Sequence, residues 1–246
     1  MSQIKIRAIV LNSFDYNEKD KVVELFSLEK GRVTAILKGV RGPKAKLKAG
    51  SQPFCFGEFI IIEKEKGFDK IINIDIEESF YKLSKDIELY YSASTLLEIT
   101  KKCLMEEEPN KLIFVNLLKA LNEIAYKNVE ANFILLKYIS GILKVTGYRF
   151  NYKKCNICKQ GLLSNFYFDL NENCFMCKSC KTNNSIKVEK QVIDLLIKIE
   201  KTDITSLKQL NDYNTDTIKQ ALKILVNQFE FSFNTKLKST TIYKFN

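Results

Sequence analysis

The run IKIRAIVL (4–11), followed by VVELFSL (22–28) and RVTAILKGV (32–40), decides the fold of the N-terminal third of this chain. Apolar and polar residues alternate in the first run, which is the period of a half-buried strand. The second is β-rich, and the third returns after Glu29-Lys30-Gly31, where the glycine is available for positive φ. That pair is therefore expected as a hairpin. FCFGEFIIIEK (54–64) and FDKIINIDI (68–76) add two more strands around a turn carrying Gly67. Five short strands between residues 4 and 76 suit a small Greek-key barrel of the OB type. Closing the sheet also removes edges that an open one would have to protect.

From Leu83 the apolar period becomes helical. Leu89, Ala93, Leu96, Leu97 and Thr100 mark one stripe. Pro109 is placed to start a second helix, whose stripe includes Leu112, Ile113, Leu117, Leu121 and Ile124. A third is expected over 129–145, ending at Gly147 as a C′ residue. Helices are expected again over 188–201, near Leu207, and over 216–236 with Asp216 as N-cap. The expected class is α+β: an N-terminal five-stranded OB-fold barrel (1–79), then an all-helical domain (80–246) with an inserted four-cysteine zinc module at about 150–183.

That module rests on Cys155, Cys158, Cys177 and Cys180, two Cys-x-x-Cys pairs with 18 residues between them. The spacing is that of a structural zinc site. Two such knuckles supply a closed tetrahedron, with Zn–S bonds of roughly 2.3 Å and no open position for chemistry. One structural Zn2+ per chain is expected. Cys174, three residues before Cys177, is an alternative ligand by position. Cys55 and Cys103 read as small core residues.

The chain has 246 residues and a net charge of +10, a surplus that suggests a polyanionic partner. Residues 140–246 hold 17 basic and 9 acidic groups and carry most of the excess. Histidine is absent, which removes Ser-His-Asp and Cys-His nucleophile systems and mixed Cys/His zinc ligation. No Walker-type glycine loop suggests nucleotide hydrolysis. A redox reading of the Cys-x-x-Cys pairs lacks the βαβ setting that such enzymes use. No interpretable cluster of paired carboxylates points to a nuclease. The chain is expected not to be an enzyme. The N-terminal segment does not read as a secretory signal, and no stretch is apolar enough for a membrane span, so a cytoplasmic, nucleoid-associated protein is expected.

The second informative segment is KGVRGPKAKLKAG (38–50). Between Lys30 and Gly57 there are seven basic residues and no acidic one. Arg32, Lys38, Arg41, Lys44, Lys46 and Lys48 are the expected nucleic-acid contacts. In an extended conformation Lys44, Lys46 and Lys48 would point one way and follow a phosphate backbone. Phe14, Tyr16, Phe54 and Phe56 flank the window as candidates for base stacking, with Phe54 and Phe56 read first as core residues. Glu106-Glu107-Glu108 reads as a solvated charge run.

The blocks AIVLNSFDYNEKDKVVELFSLEKGRV (8–33) and AILKGVRGPKAKLKAGSQPF (35–54), with the CNIC…CKSC pair, resemble the RecO recombination mediators of bacterial DNA repair. ELYYSASTLLEIT (88–100) and KLKSTTIYKF (236–245) agree more loosely. The resemblance implies an OB barrel followed by a helical domain. It further implies binding of single- and double-stranded DNA, strand annealing, and work with RecR that helps load RecA onto strands coated by single-strand binding protein. A grip on that coat protein's acidic tail is implied by some relatives. The alternative is a protein-interaction scaffold that binds acidic tails without touching DNA.

Overall fold

The computed structural model describes residues 2–127, 129–162, 166–210 and 212–240. The chain divides into two compact units, Met1–Tyr90 with Leu97–Leu121, and Tyr91–Leu96 with Asn122–Asn246.

In the first unit, β1 (Gln3–Asp15), β2 (Lys21–Ser27), β3 (Gly31–Leu37), β4 (Phe56–Ile62) and β5 (Asp69–Glu78) close a barrel in the order β1-β2-β3-β5-β4. Every pairing is antiparallel except β3 with β5. This is the barrel expected from the five β-rich runs. Ile6, Ala8 and Val10 of β1 alternate into the interior, where they meet Val23, Leu25, Val33, Ala35, Phe59, Ile61 and Ile71. Two close approaches require glycine. A Cβ on Gly57 would lie 2.2 Å from the Asp75 carbonyl oxygen. One on Gly31, already at φ +70, would lie 2.3 Å from the Glu108 carbonyl oxygen.

The outer wall of the barrel is covered in this unit by parts of α1 (Ile87–Cys103) and α2 (Lys111–Tyr126). Phe114 of α2 sits edge-on to Phe26 and Phe56, with ring centroids 5.3 and 6.1 Å away. Asp86 caps α1 by accepting from the Glu88 and Leu89 N–H groups. Asn110 accepts from the Ile113 N–H at 3.1 Å, so the start of α2 is set by Asn110, with Pro109 just before it. The glutamate run has a structural task. Glu107 donates its N–H to the Arg32 carbonyl, and the Glu106 carboxylate meets the Arg32 guanidinium at 2.9 Å. The segment is thereby strapped to β3, and Gly31 admits its backbone.

In the second unit, α3 (Ala131–Val145), α4 (Lys190–Lys201) and α5 (Thr215–Ser232) pack on one another. Their buried faces include Phe133, Leu136, Ile139, Leu195, Leu196, Leu225 and Phe229. Gly147, at φ +83, ends α3 as expected, with the Tyr148 N–H turned back to the Leu143 carbonyl at 2.7 Å. The N-cap of α5 is Asn214, which accepts from the Thr217 N–H, and not Asp216. Between α3 and α4 the chain forms a small antiparallel sheet, β7-β6-β8, from β6 (Phe166–Asp169), β7 (Cys174–Met176) and β8 (Ser185–Val188). The cysteine module thus brings strands of its own into a helical region. Of the closing stretch 236–245, residues 241–245 lie outside the described residues, as do residues 163–165 of the module.

Candidate nucleic-acid interface and metal cluster

The basic segment between β3 and β4 folds as consecutive turns and not as an extended strand. The Ala45 N–H donates to Gly42, Lys48 to Ala45 and Ser51 to Lys48, at 3.2 to 3.3 Å. The sequence alternation still has a structural meaning. Ala45 and Leu47 pack against the barrel core, while Lys44, Lys46 and Lys48 are exposed. The turns achieve by local winding what a strand would have achieved by its two faces.

The start of this segment is bound to the β1–β2 loop. The Gly39 N–H donates to the Asp20 carboxylate at 2.8 Å, and the Arg41 N–H donates to the Lys19 carbonyl at 3.0 Å. The Gly39 N–H and the Asn17 amide hold the Asp20 carboxyl below its usual range. The Arg41 guanidinium meets Asp15 at 3.0 Å and also donates to the Asn17 carbonyl. Sequence reasoning does not single out Asn17 and Asp20. The available signal is the Asn-x-x-Asp turn, in which Asn17 Oδ1 accepts from the Lys19 and Asp20 N–H groups.

Ion pairing separates the candidate contacts. Elsewhere on the barrel, Lys5 pairs with Glu58 at 2.6 Å, Arg7 with Glu77 at 2.6 Å, Lys21 with Asp15 at 3.2 Å, and Lys30 with Glu63. Arg32 is committed to Glu106 and to the Lys101 carbonyl, the latter at 3.2 Å. Among the described residues, Lys38, Lys44, Lys46 and Lys48 form no ion pair, and all four are exposed. The aromatic candidates also divide. Phe54 and Phe56 are 5% and 8% exposed, and their rings meet Tyr90 and Phe114 on the outer wall. Phe14 and Tyr16 are 43% and 55% exposed.

In the second unit, Cys155, Cys158, Cys177 and Cys180 converge, with all four Sγ atoms within 4.8 Å of one another. Cys158 Sγ and Cys177 Sγ are 3.8 Å apart. A tetrahedron with metal–sulfur bonds of about 2.3 Å has edges of about this length. Cys174 is left out of the cluster. It is buried in β7, and burial raises its thiol. The first knuckle is a hairpin turn closed by Cys155 N–H to the Gln160 carbonyl at 2.8 Å and Lys159 N–H to the Cys155 carbonyl at 3.0 Å. Burial pushes the Cys155 thiol up, but the N–H groups of Cys158, Cys177 and Ile157 outweigh it and bring the thiol down to about 6. Cys180 is pushed up to about 12, first by its bond with Cys177 and then by burial. Four thiols that compete for protons in one place are a donor set suited to a metal ion.

The cluster sits on a packed base. Phe150 and Phe168 each approach Phe175 with centroids 5.1 Å apart, and Tyr152 approaches it at 5.5 Å. Buried Asp169 gathers the turns around the second knuckle. It accepts from the Asn171 and Glu172 N–H groups and from the Thr182 and Ser185 hydroxyls. Gln228 of α5 joins the Asn173 side chain to the Tyr148 carbonyl.

Two family models match the chain, one after the other. The family described as Recombination protein O N terminal matches residues 1–80, and Recombination protein O C terminal matches residues 84–241. The chain belongs to the RecO family. Its relatives include the DNA repair protein RecO of Clostridium novyi, 27% identical with 100% of this chain and 95% of that protein covered. The DNA repair protein RecO of Desulforamulus reducens is also 27% identical, with 100% and 97% covered. That of Bacillus pumilus is 28% identical, with 96% and 91% covered. RecO proteins are non-enzymatic recombination mediators. Among the described residues no helix is long and apolar enough to cross a membrane.

Proposed function

We propose that this RecO chain is a DNA-binding recombination mediator whose first contact with nucleic acid is electrostatic. The carrying observation is the contrast in ion pairing. Lys5, Arg7, Lys21 and Arg32 on the barrel strands are each paired with a carboxylate, whereas among the described residues Lys38, Lys44, Lys46 and Lys48 stand exposed on one segment and form no ion pair. Such cations displace condensed counterions from a phosphate backbone and carry no base-reading pattern, so binding is expected with little sequence preference. Arg41 is anchored to the β1–β2 loop and holds the segment's start. Arg32 braces β3 and contributes charge only at longer range.

In this reading the protein binds single- and double-stranded DNA. Annealing follows when two screened strands are held close while their bases remain free to pair. Family membership supports work with RecR, indirect loading of RecA, and contact with the tail of single-strand binding protein. The cysteine cluster is assigned to one structural Zn2+, because four thiolates give a closed, histidine-free site. The metal fixes the module's shape and supplies no chemistry to DNA.

The test is a fluorescence-anisotropy titration with a single-stranded oligonucleotide and, separately, an acidic peptide, each at low and high salt. Salt-sensitive oligonucleotide binding is expected. Tight peptide binding with negligible oligonucleotide binding would replace the proposal with a protein-interaction scaffold.

A further inference from the structure

Two loops at the barrel meet through aromatic rings. The β1–β2 loop carries Tyr16, and the β4–β5 loop carries Phe68. Their rings stand edge to face at 88°, with centroids 5.6 Å apart. Tyr16 and the nearby Phe14 keep about half of their area in water, whereas Phe26, Phe54 and Phe56 of the same unit are buried. Exposed apolar groups gathered in one patch mark an interaction surface, whereas single ones need no explanation.

The loop that presents Tyr16 is held rigid by its own backbone. The Tyr16 N–H donates to the Asp20 carbonyl at 3.1 Å, and Asn17 closes the turn between them. The Arg41 guanidinium touches the residue on each side of Tyr16, the Asp15 carboxylate and the Asn17 carbonyl. The backbone that carries the ring is therefore anchored to Arg41, at the start of the lysine-bearing segment. In the same two loops Lys19, Lys64 and Lys66 are exposed, against Glu18, Asp20, Glu63 and Glu65, of which Asp20 accepts from the Gly39 N–H and Glu63 is paired with Lys30. The excess positive charge lies on the adjoining segment, with Lys38, Lys44, Lys46 and Lys48, so an apolar face beside a cationic row complements a flat aromatic group joined to phosphate.

We propose that Tyr16, backed by Phe68 and accompanied by Phe14, is a stacking platform for the unpaired bases of single-stranded DNA. The inference rests on the DNA-binding reading above and adds a preference that electrostatics alone does not supply. Every base has a π face, so stacking is indifferent to sequence. In a duplex those faces are already covered by neighbouring base pairs. A ring ordered before binding also loses little conformational freedom when a base arrives. The lysines hold the backbone of either form, and Tyr16 favours the single strand.

The test compares the full-length protein with Tyr16→Ala, Phe68→Ala and Tyr16→Phe on three probes of equal length: a single strand, the same strand with abasic sites throughout, and a duplex. Loss of one stacked base weakens binding roughly 5- to 150-fold. A loss of that order is expected for Tyr16→Ala on the single strand, with no change on the abasic strand or the duplex. Tyr16→Phe, which keeps the ring, should bind as the unsubstituted protein does. Phe68→Ala should give a smaller loss with the same selectivity. Equal losses on all three probes, or no loss on the single strand, would overturn the stacking role while leaving the electrostatic reading intact. Failure of the unsubstituted protein to bind any probe would overturn both. Should Tyr16→Ala unfold, a Tyr16→Leu variant decides the question, since it keeps apolar bulk and removes the π face.

Discussion

Neutralising Lys44, Lys46 and Lys48 together, as Lys→Gln, gives the sharpest test of the electrostatic interface. Among the described residues the three side chains are exposed and form no ion pair, and Ala45 and Leu47 between them still anchor the segment to the core. Folding should therefore be nearly untouched, within about 0.5 kcal/mol per site. On single strands each phosphate contact contributes about 0.7 to the slope of log K against log salt. Losing three contacts should flatten the slope by about 2. Over a fourfold rise in salt, the unsubstituted protein should then lose roughly 20-fold more affinity than the variant does. The assay is anisotropy of a labelled oligonucleotide across a salt series, with a thermal melt as the folding control. Weaker binding with an unchanged slope would refute the reasoning, because the lysines would then act through structure and not through counterion release. Arg32→Gln is the internal contrast. Its guanidinium is spent on Glu106 and the Lys101 carbonyl, so stability should fall and the slope should stay.

Other outcomes follow from the packing. Gly31→Ala forces a Cβ to 2.3 Å from the Glu108 carbonyl oxygen at a φ of +70, and should cost roughly 2–4 kcal/mol, read from the midpoint of a urea transition. Removing the metal with a chelator should release one zinc per chain and make Cys155, Cys158, Cys177 and Cys180 reactive towards a thiol reagent. Protein isolated metal-free with all four already reactive would count against the closed site. The Asp169 carboxyl is held below its usual range, first by the Glu172 N–H and then by the Thr182 hydroxyl. With a native pKa below the unfolded one, its contribution is complete above the unfolded value of about 3.9 and disappears as pH falls through the native value. Asp169→Asn should therefore destabilise the protein at pH 7, and the gap to the unsubstituted protein should narrow in acid. A gap independent of pH would show that charge is not what Asp169 supplies.

The barrel was legible because its strands carry their pattern locally. Alternation in residues 4–11, a glycine at 31 and a second hairpin around Gly67 point to five strands, while the alternation is too weak to settle their topology. The cysteine cluster was legible for a similar reason, since two short pairs can converge without knowledge of the rest. Three features depended on contacts distant in sequence. Arg32 looks like any solvated strand cation until Glu106 arrives 74 positions later. The glutamate run reads as solvated because nothing in it announces that its backbone lies on Gly31. Lys44, Lys46 and Lys48 alternate as a strand would, but Ala45 and Leu47 reach the core through turns, which period alone does not distinguish. Asn214 displaced Asp216 as the α5 cap because the helix starts two residues earlier, within the usual error for a boundary.

The interleaving of Ala45 and Leu47 with the lysines has a consequence for how a mediator must work. Tethers of this composition often float and stiffen only around their target, which makes release slow to reverse and dependent on refolding the tether. Here the cationic row is nailed down before any strand comes near. If the row holds nucleic acid as proposed, a polymer would be able to slide along it, leave and be replaced by its complement without the segment having to fold again.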